Sequence, residues 1–393
     1  MREYASPIDR AARRIAALGA ALLFVAAAVH AQTSCVGVGE WAIPGGKRAT
    51  ASEILSRVSR ETIVLIGEAH DNAEHHRWEL QMLAELHALH PKMAIGFEMF
   101  PRRVQGALDR WVAGELTEEA FLKESDWQEV WGADTPQYLP LFHFARMNRI
   151  PMIALNVERE FVRSVGEKGF AAVPAEKREG VSQPAPPSEA YVARLFRAYS
   201  EHPERGKAPS RDDPAFRRFV EAQQVWDRAM AEALVDAATR LQGALVTGVM
   251  GASHISYGYG VPHQLQSLGA KHVASLLPWD ANADCSRLAS GYATAVFGVT
   301  KPPPAPPRQL LGITVDTVPE GVKVLTVASG SIAEAAGLRA GDVLFEVAGT
   351  AVKAAGEVRA IVFAMQPGTW LPLKAKRQNE VVDLTAKFPP AKK

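Results

Sequence analysis

Along the chain, short apolar β-branched runs alternate with longer stretches whose apolar residues recur at helical spacing. Ile63–Ile66 ends in Gly67, and Glu74–His90 then places Trp78, Leu80, Met82, Leu83, Leu86 and Leu89 at helical intervals. Lys92–Glu98 reads as the next strand and Pro101–Val112 as the next helix, with proline near its first turn. Tyr138–Asn148 is helical, Met152–Leu155 a strand, and Pro214–Leu241 a long amphipathic helix. Ala244–Met250, Val273–Leu277 and Ala293–Val299 read as further strands, the last near an edge, with Val261–Leu268 a helix among them. This alternation predicts an α/β fold, a mostly parallel sheet flanked by helices on both faces. The stretch from Ala171 to Asp213 breaks the rhythm with prolines and charges. It is expected to be a lid-like surface insertion with one helix, about Ser188–Tyr199.

The sharpest boundary is residues 300–308, with Pro302-Pro303-Pro304-Ala305-Pro306-Pro307 at its centre. Such a tract favours extended polyproline and serves as a semi-rigid spacer. Beyond it the pattern turns to short β-rich segments with glycine turns, so residues 309–388 form a second, smaller domain, and residues 40–299 the first.

At the N-terminus, Arg2, Arg10, Arg13 and Arg14 precede an apolar run from Ile15 to Val29, closed by Val29-His30-Ala31. Residues 1–31 therefore read as a secretory signal peptide, and no later segment is long and apolar enough to cross a bilayer. The expected location is periplasmic or secreted. There are two cysteines, Cys35 and Cys285, and an oxidising compartment favours a disulfide between them. The rival reading makes Cys35 a lipidated, membrane-associated position, although leucine is missing three residues upstream. With a net charge of +1, 47% hydrophobic and 22% charged residues, the chain has the composition of a globular protein. No basic stripe exists outside the leader, which leaves no electrostatic case for nucleic acid.

Four strand ends become polar in the same way: Gly67-Glu68-Ala69-His70, Gly96-Phe97-Glu98-Met99, Leu155-Asn156-Val157-Glu158 and Gly251-Ala252-Ser253-His254. In open α/β sheets ligands gather outside the carboxyl ends of strands. Glu68, His70, Glu98 and His254 are the candidate acid–base set. Two imidazoles with one carboxylate, His70, His254 and Glu98, are also a donor set for a divalent metal. Of the adjacent His75 and His76, one is expected to line the pocket and the other to face solvent, since successive helical residues point about 100° apart. The Trp-rich Asp126–Gly132 segment is a candidate pocket wall, with core packing its default role.

These motifs, with His75-His76-Arg77-Trp78 and Met99-Phe100, resemble the ChaN family over about residues 40–299. They also resemble the wider superfamily of Tiki proteases, TraB-type proteins and erythromycin esterases. The resemblance implies either haem binding in iron uptake or metal-dependent proteolysis or ester hydrolysis at the matching His and Glu positions. Haem requires an axial ligand in a large apolar pocket. Tyr257, Tyr259 and His263 are the candidate ligands by type and place. No Cys-x-x-Cys-His exists, so the haem would be non-covalent.

In the second domain, Leu310-Leu311-Gly312-Ile313 resembles the carboxylate-binding loop of PDZ domains. The run from Gly330 to Leu344 is similar to PDZ domains of periplasmic proteases. Leu311, Gly312 and Ile313 would capture a peptide C-terminus while Ile313–Val318 pairs with the peptide. A helix at about Ala354–Met365 would form the other groove wall, with Val358, Ile361 and Val362 its apolar lining. Three functions follow as expectations. The first is an exported haem or iron-porphyrin binder with a PDZ module that takes C-terminal peptides or an exported protein partner. The second is a metal-dependent hydrolase using His70, Glu98 and His254. The third is a non-catalytic adaptor acting through the PDZ domain. A homodimer is an open alternative.

Overall fold

The computed structural model describes residues 35–132, 135–201, 210–281, 283–301, 309–378 and 380–390. The leader at 1–31 and the proline tract at 302–308 lie outside the described residues. No described helix is long and apolar enough to cross a membrane.

Eight strands form the first sheet: β1 (Trp41–Ile43), β2 (Lys47–Ala49), β3 (Ile63–Glu68), β4 (Met93–Pro101), β5 (Met152–Asn156), β6 (Leu245–Gly251), β7 (Val273–Asp280) and β8 (Ala295–Val299). Their spatial order is β2-β1-β8-β7-β3-β6-β4-β5, parallel from β8 to β5. Every residue of β3, β4, β5 and β6 is buried, as a sheet covered on both faces demands. Ile63, Val64, Leu65 and Ile66 contribute to stability through that burial, roughly 1.5–3 kcal/mol each. One core, with Trp111, Trp127, Phe100 and Phe142, lies under the helices Ala73–Leu89, Gln105–Ala113 and Thr135–Met147. The other, with Met230, Leu234 and Leu265, lies under Pro214–Arg240 and Val261–Ser267.

Two expectations change. The Ala295–Val299 strand is not at the edge, because the β1–β2 hairpin adds antiparallel to it. The 171–213 stretch is not a lid in its described part. Val173 and Val181 pack with Phe161 and Val165, and its helix, Glu189–Ser200, packs Tyr191 and Leu195 onto Phe216 and Val220. The apolar face of that helix needed a partner, and the long Pro214–Arg240 helix supplies it.

The second domain is an antiparallel sheet of β9 (Ile313–Val318), β10 (Gly321–Val327), β11 (Val343–Val347), β12 (Thr350–Ala351), β13 (Trp370–Arg377) and β14 (Glu380–Lys387). Its order is β14-β13-β11-β10-β9, with β12 on β11, so β9 is an edge strand. The helix Ala355–Ala364 buries Val358 and Val362 in the domain core and leaves Ile361 half-buried. Of the three expected groove-lining residues, two are therefore core.

Cys35 and Cys285 are disulfide-bonded, Cα–Cα 5.7 Å, tying the segment before β1 to the loop after β7. Denatured, unreduced protein should show no reactive thiol and two after reduction. Reduction should lower unfolding free energy by up to about 5 kcal/mol, because the closed loop is long. Chemical denaturation with and without reductant measures this.

Candidate functional site

Strands β3, β6 and β4 are neighbours, and their carboxyl ends bring Glu68, His254 and Glu98 to one place. Glu98 is 1% exposed. Its Oε2 accepts the Gly251 N–H at 2.7 Å, and its Oε1 lies 3.5 Å from His254 Nε2. His254 Nδ1 is 2.6 Å from Asp227 Oδ1, and the Tyr191 hydroxyl donates to Asp227 Oδ2 at 2.6 Å. His70 Nδ1 is 2.7 Å from Glu68 Oε1, which also accepts the Tyr138 hydroxyl at 3.1 Å. Both glycine-led loops need their glycines sterically. A Cβ on Gly251 would sit 3.0 Å from His70 Nε2, and one on Gly67 would fall 2.2 Å from Leu277 Cδ2.

Each histidine thus has its Nδ1 held by a buried carboxylate, and His254 turns its Nε2 toward Glu98. Burial disfavours the His254 cation, but the charges of Glu98 and Asp227 outweigh it and push its pKa up to about 10. Burial opposes the Glu98 carboxylate too, yet His254, His70 and the Gly251 amide hold its pKa below the usual range. His70, 42% exposed at its side chain, is raised by Glu68 and Glu98 against its own desolvation.

Behind this set lies His76 with Glu79, an acid the sequence pattern did not single out. His76 Nδ1 is 3.0 Å from Glu68 Oε2 and 2.9 Å from Glu79 Oε2. Glu79 is fully buried, and burial plus the Glu68 charge raise its pKa to about 8. Burial works against the His76 cation, but Glu79 and Glu68 raise its pKa to about 9. The expectation that one of His75 and His76 faces solvent fails, since both are buried. His75 accepts the Ala69 N–H and lies 3.4 Å from Asp280, so the two rings serve different partners. Asn72 caps the following helix. A signal for Glu79 and Asp227 existed. Glu79 shares the stripe of Met82, Leu83 and Leu86, and Asp227 that of Met230 and Leu234, and an acid on an apolar stripe marks a buried site.

A cleft of about 490 Å³ opens beside the cluster, at the ends of β4 and β5. Met99, Val130, Trp131, Val157, Val162 and Trp226 wall it, and Arg103, Arg159 and Arg163 stand among its polar residues. Trp131 meets the His70 ring edge-on at 4.9 Å, and Trp226 meets His254 at 5.6 Å. Of the Trp-rich segment, Trp131 forms wall while Trp127 is core. Tyr257, Tyr259 and His263 are not among the cleft residues. The Tyr257 hydroxyl donates to the Arg287 carbonyl, His263 Nε2 meets the Pro186 carbonyl, and Tyr259 stacks near Tyr257 and Tyr191.

In the second domain Gly312 has φ +81°, and a Cβ there would fall 2.4 Å from Ser331 Cβ, so the loop before β9 requires glycine. The Leu311 and Gly312 carbonyls accept from Ala333 and Ala328, which fixes the loop that leads into Ile313.

A parallel sheet with two Gly-x-x-His loops around a buried glutamate, joined to a PDZ-type sheet, defines the class. Residues 54–265 match the family model described as haem-binding uptake, Tiki superfamily, ChaN, and residues 309–388 match the PDZ domain. The first match spans more than half of the chain, which belongs to the ChaN haem-binding family and carries a PDZ domain. The fold is similar to that of ChaN of Campylobacter jejuni, a structure of cofacial heme binding, at TM-score 0.53 and 17% identity, over 67% of this chain and 97% of that one. A serine endoprotease from Yersinia pestis aligns with 22% of this chain and 30% of its own at 26% identity and TM-score 0.20. The HtrA3 PDZ domain bound to a phage-derived ligand aligns with 20% of this chain and 84% of its own, at 23% identity and TM-score 0.19. No curated protein matches the chain.

Removing the His254 imidazole would leave Asp227 and Glu98 buried without the cation between them. His254→Ala should therefore cost about 3–5 kcal/mol, contrary to a purely functional loop residue. Because its folded pKa is raised, the stability His254 contributes is complete below about pH 6.5 and is lost as pH rises through about 10. Urea unfolding of wild type and His254→Gln near pH 6 and near pH 10 should show the gap closing at the alkaline end.

Proposed function

We propose that the first domain binds haem or a related iron porphyrin in the cleft beside His70. The observation that carries this reading is the apolar cleft whose Trp131 and Trp226 walls contact the anchored imidazoles of His70 and His254. With Nδ1–H donated to Glu68, His70 keeps the Nε2 lone pair for iron. Arg159 and Arg163 are exposed cleft residues with no ion pair among the described residues, suited to the propionates. Membership of the ChaN family supports the same ligand. The Cys35–Cys285 disulfide and the leader-like N-terminus support an exported setting.

A second reading has its own support. His70 and His254 are two carboxylate-anchored imidazoles and Glu98 lies 3.5 Å from His254, which together are the donor types of a divalent metal site. A metal held there would act as a Lewis acid on a carbonyl group in hydrolysis.

Adding hemin to the purified full-length chain should produce a Soret band. His70→Ala should weaken haem affinity by about tenfold or more and alter the spectrum. Exchanging Arg159 and Arg163 for glutamate should weaken it without altering the spectrum. No Soret band, or an unchanged one in His70→Ala, rejects the haem reading. Chelator-sensitive ester or peptide hydrolysis that haem does not affect would favour the second.

For the PDZ domain we infer capture of free peptide C-termini along the β9 edge. Peptides ending in an apolar residue should bind at about micromolar affinity as acids and lose binding as amides. Fluorescence titration of the full chain checks this, and equal binding of both forms removes the inference.

A further inference from the structure

Beneath His70, on the second oxygen of Glu68, lies a cluster that the cleft does not use. Glu68, His76 and Glu79 each present a donor atom, all within 4.8 Å of one another and all buried. His76 Nε2 lies 3.2 Å from the His70 carbonyl oxygen, which only accepts, so Nε2 carries a proton. In the neutral ring Nδ1 is then a bare lone pair, yet it faces carboxylate oxygens at 2.9 and 3.0 Å. A second proton on Nδ1 serves Glu79 Oε2 alone. Among the described residues, Glu68 Oε2 and Glu79 Oε1 have no hydrogen-bond partner. Burial and the neighbouring Glu68 also disfavour the Glu79 carboxylate, which a cation in contact would stabilise. A divalent cation removes each difficulty together. It accepts the Nδ1 lone pair, gives the bare oxygens a partner and balances both carboxylates. Bonds of about 2.1 Å at right angles would put neighbouring donors about 3.0 Å apart, matching the separations around Nδ1.

We propose that Glu68, His76 and Glu79 bind one divalent first-row cation. Two carboxylates with one imidazole favour Mn²⁺ or Fe²⁺ over a soft ion. His70 covers Glu68 and is partly open to solvent, so the route in passes its ring. Glu68 then has two roles, one oxygen holding His70 and the other the cation, so the cation stiffens the histidine beside the cleft. The proposal does not depend on what the cleft binds.

Chelator-stripped full-length protein titrated with Mn²⁺ and followed by electron paramagnetic resonance tests this. Wild type should take up one equivalent. Glu79→Gln should lose affinity by more than about 100-fold, since outer-shell losses alone cost 10–100-fold. A wild-type readout guards against misfolding of the variant. Pulsed measurements should detect coupling to one imidazole nitrogen. Two coupled imidazoles, unchanged uptake in folded Glu79→Gln, or no uptake at about 1 mM Mn²⁺ would each overturn the site.

Discussion

Everything around the site hangs on the Glu98 carboxylate. It lies toward the carboxyl end of a strand buried on both faces, and one of its oxygens accepts the amide of Gly251 on the neighbouring strand. The other faces His254. A charge this deeply buried survives only with partners. Its partners are the loop that follows β6, so the requirement to neutralise Glu98 positions that loop. The same demand then passes outward from His254 to Asp227 and from Asp227 to Tyr191, reaching the 189–200 helix. A segment with loop-like composition is held against the body of the domain by this chain of hydrogen bonds as well as by its aromatic contacts.

The polar cluster and the aromatic cleft are joined by two tryptophans. Trp131 and Trp226 come from different helical regions, and each lines the cleft and contacts a site histidine. A ligand in the cleft would therefore press on the rings whose Nδ1 atoms the carboxylates hold. The histidines are preorganised by buried acids.

Legibility along the chain differed by the range of the forces involved. The strands and helices were readable because apolar period and burial are local consequences of one another, as in Ile63–Ile66 and Pro214–Leu241. The Gly-x-x-His loops stood out because glycine and histidine at that spacing mark close backbone approach and a projecting side chain. The place of Ala295–Val299 inside the sheet was not readable, since the hairpin that covers it consists of two three-residue strands. His75 and His76 misled for a different reason. Adjacent helical positions diverge, but the Ala73–Leu89 helix is buried over a wide arc, and each ring found its own carboxylate.

By itself the amino-acid order determined the two-domain plan, the α/β class of the first domain, the PDZ character of the second, and the residue types offered for chemistry. These depend on periodicity and on motif spacing, which are properties of neighbouring residues. Which acids answer which histidines was decided only in three dimensions: Asp227 for His254, Glu79 for His76, Glu68 for both His70 and His76. Buried charge is neutralised by whatever lies within a few ångströms, and in this fold Asp227 lies 27 positions from the histidine it holds.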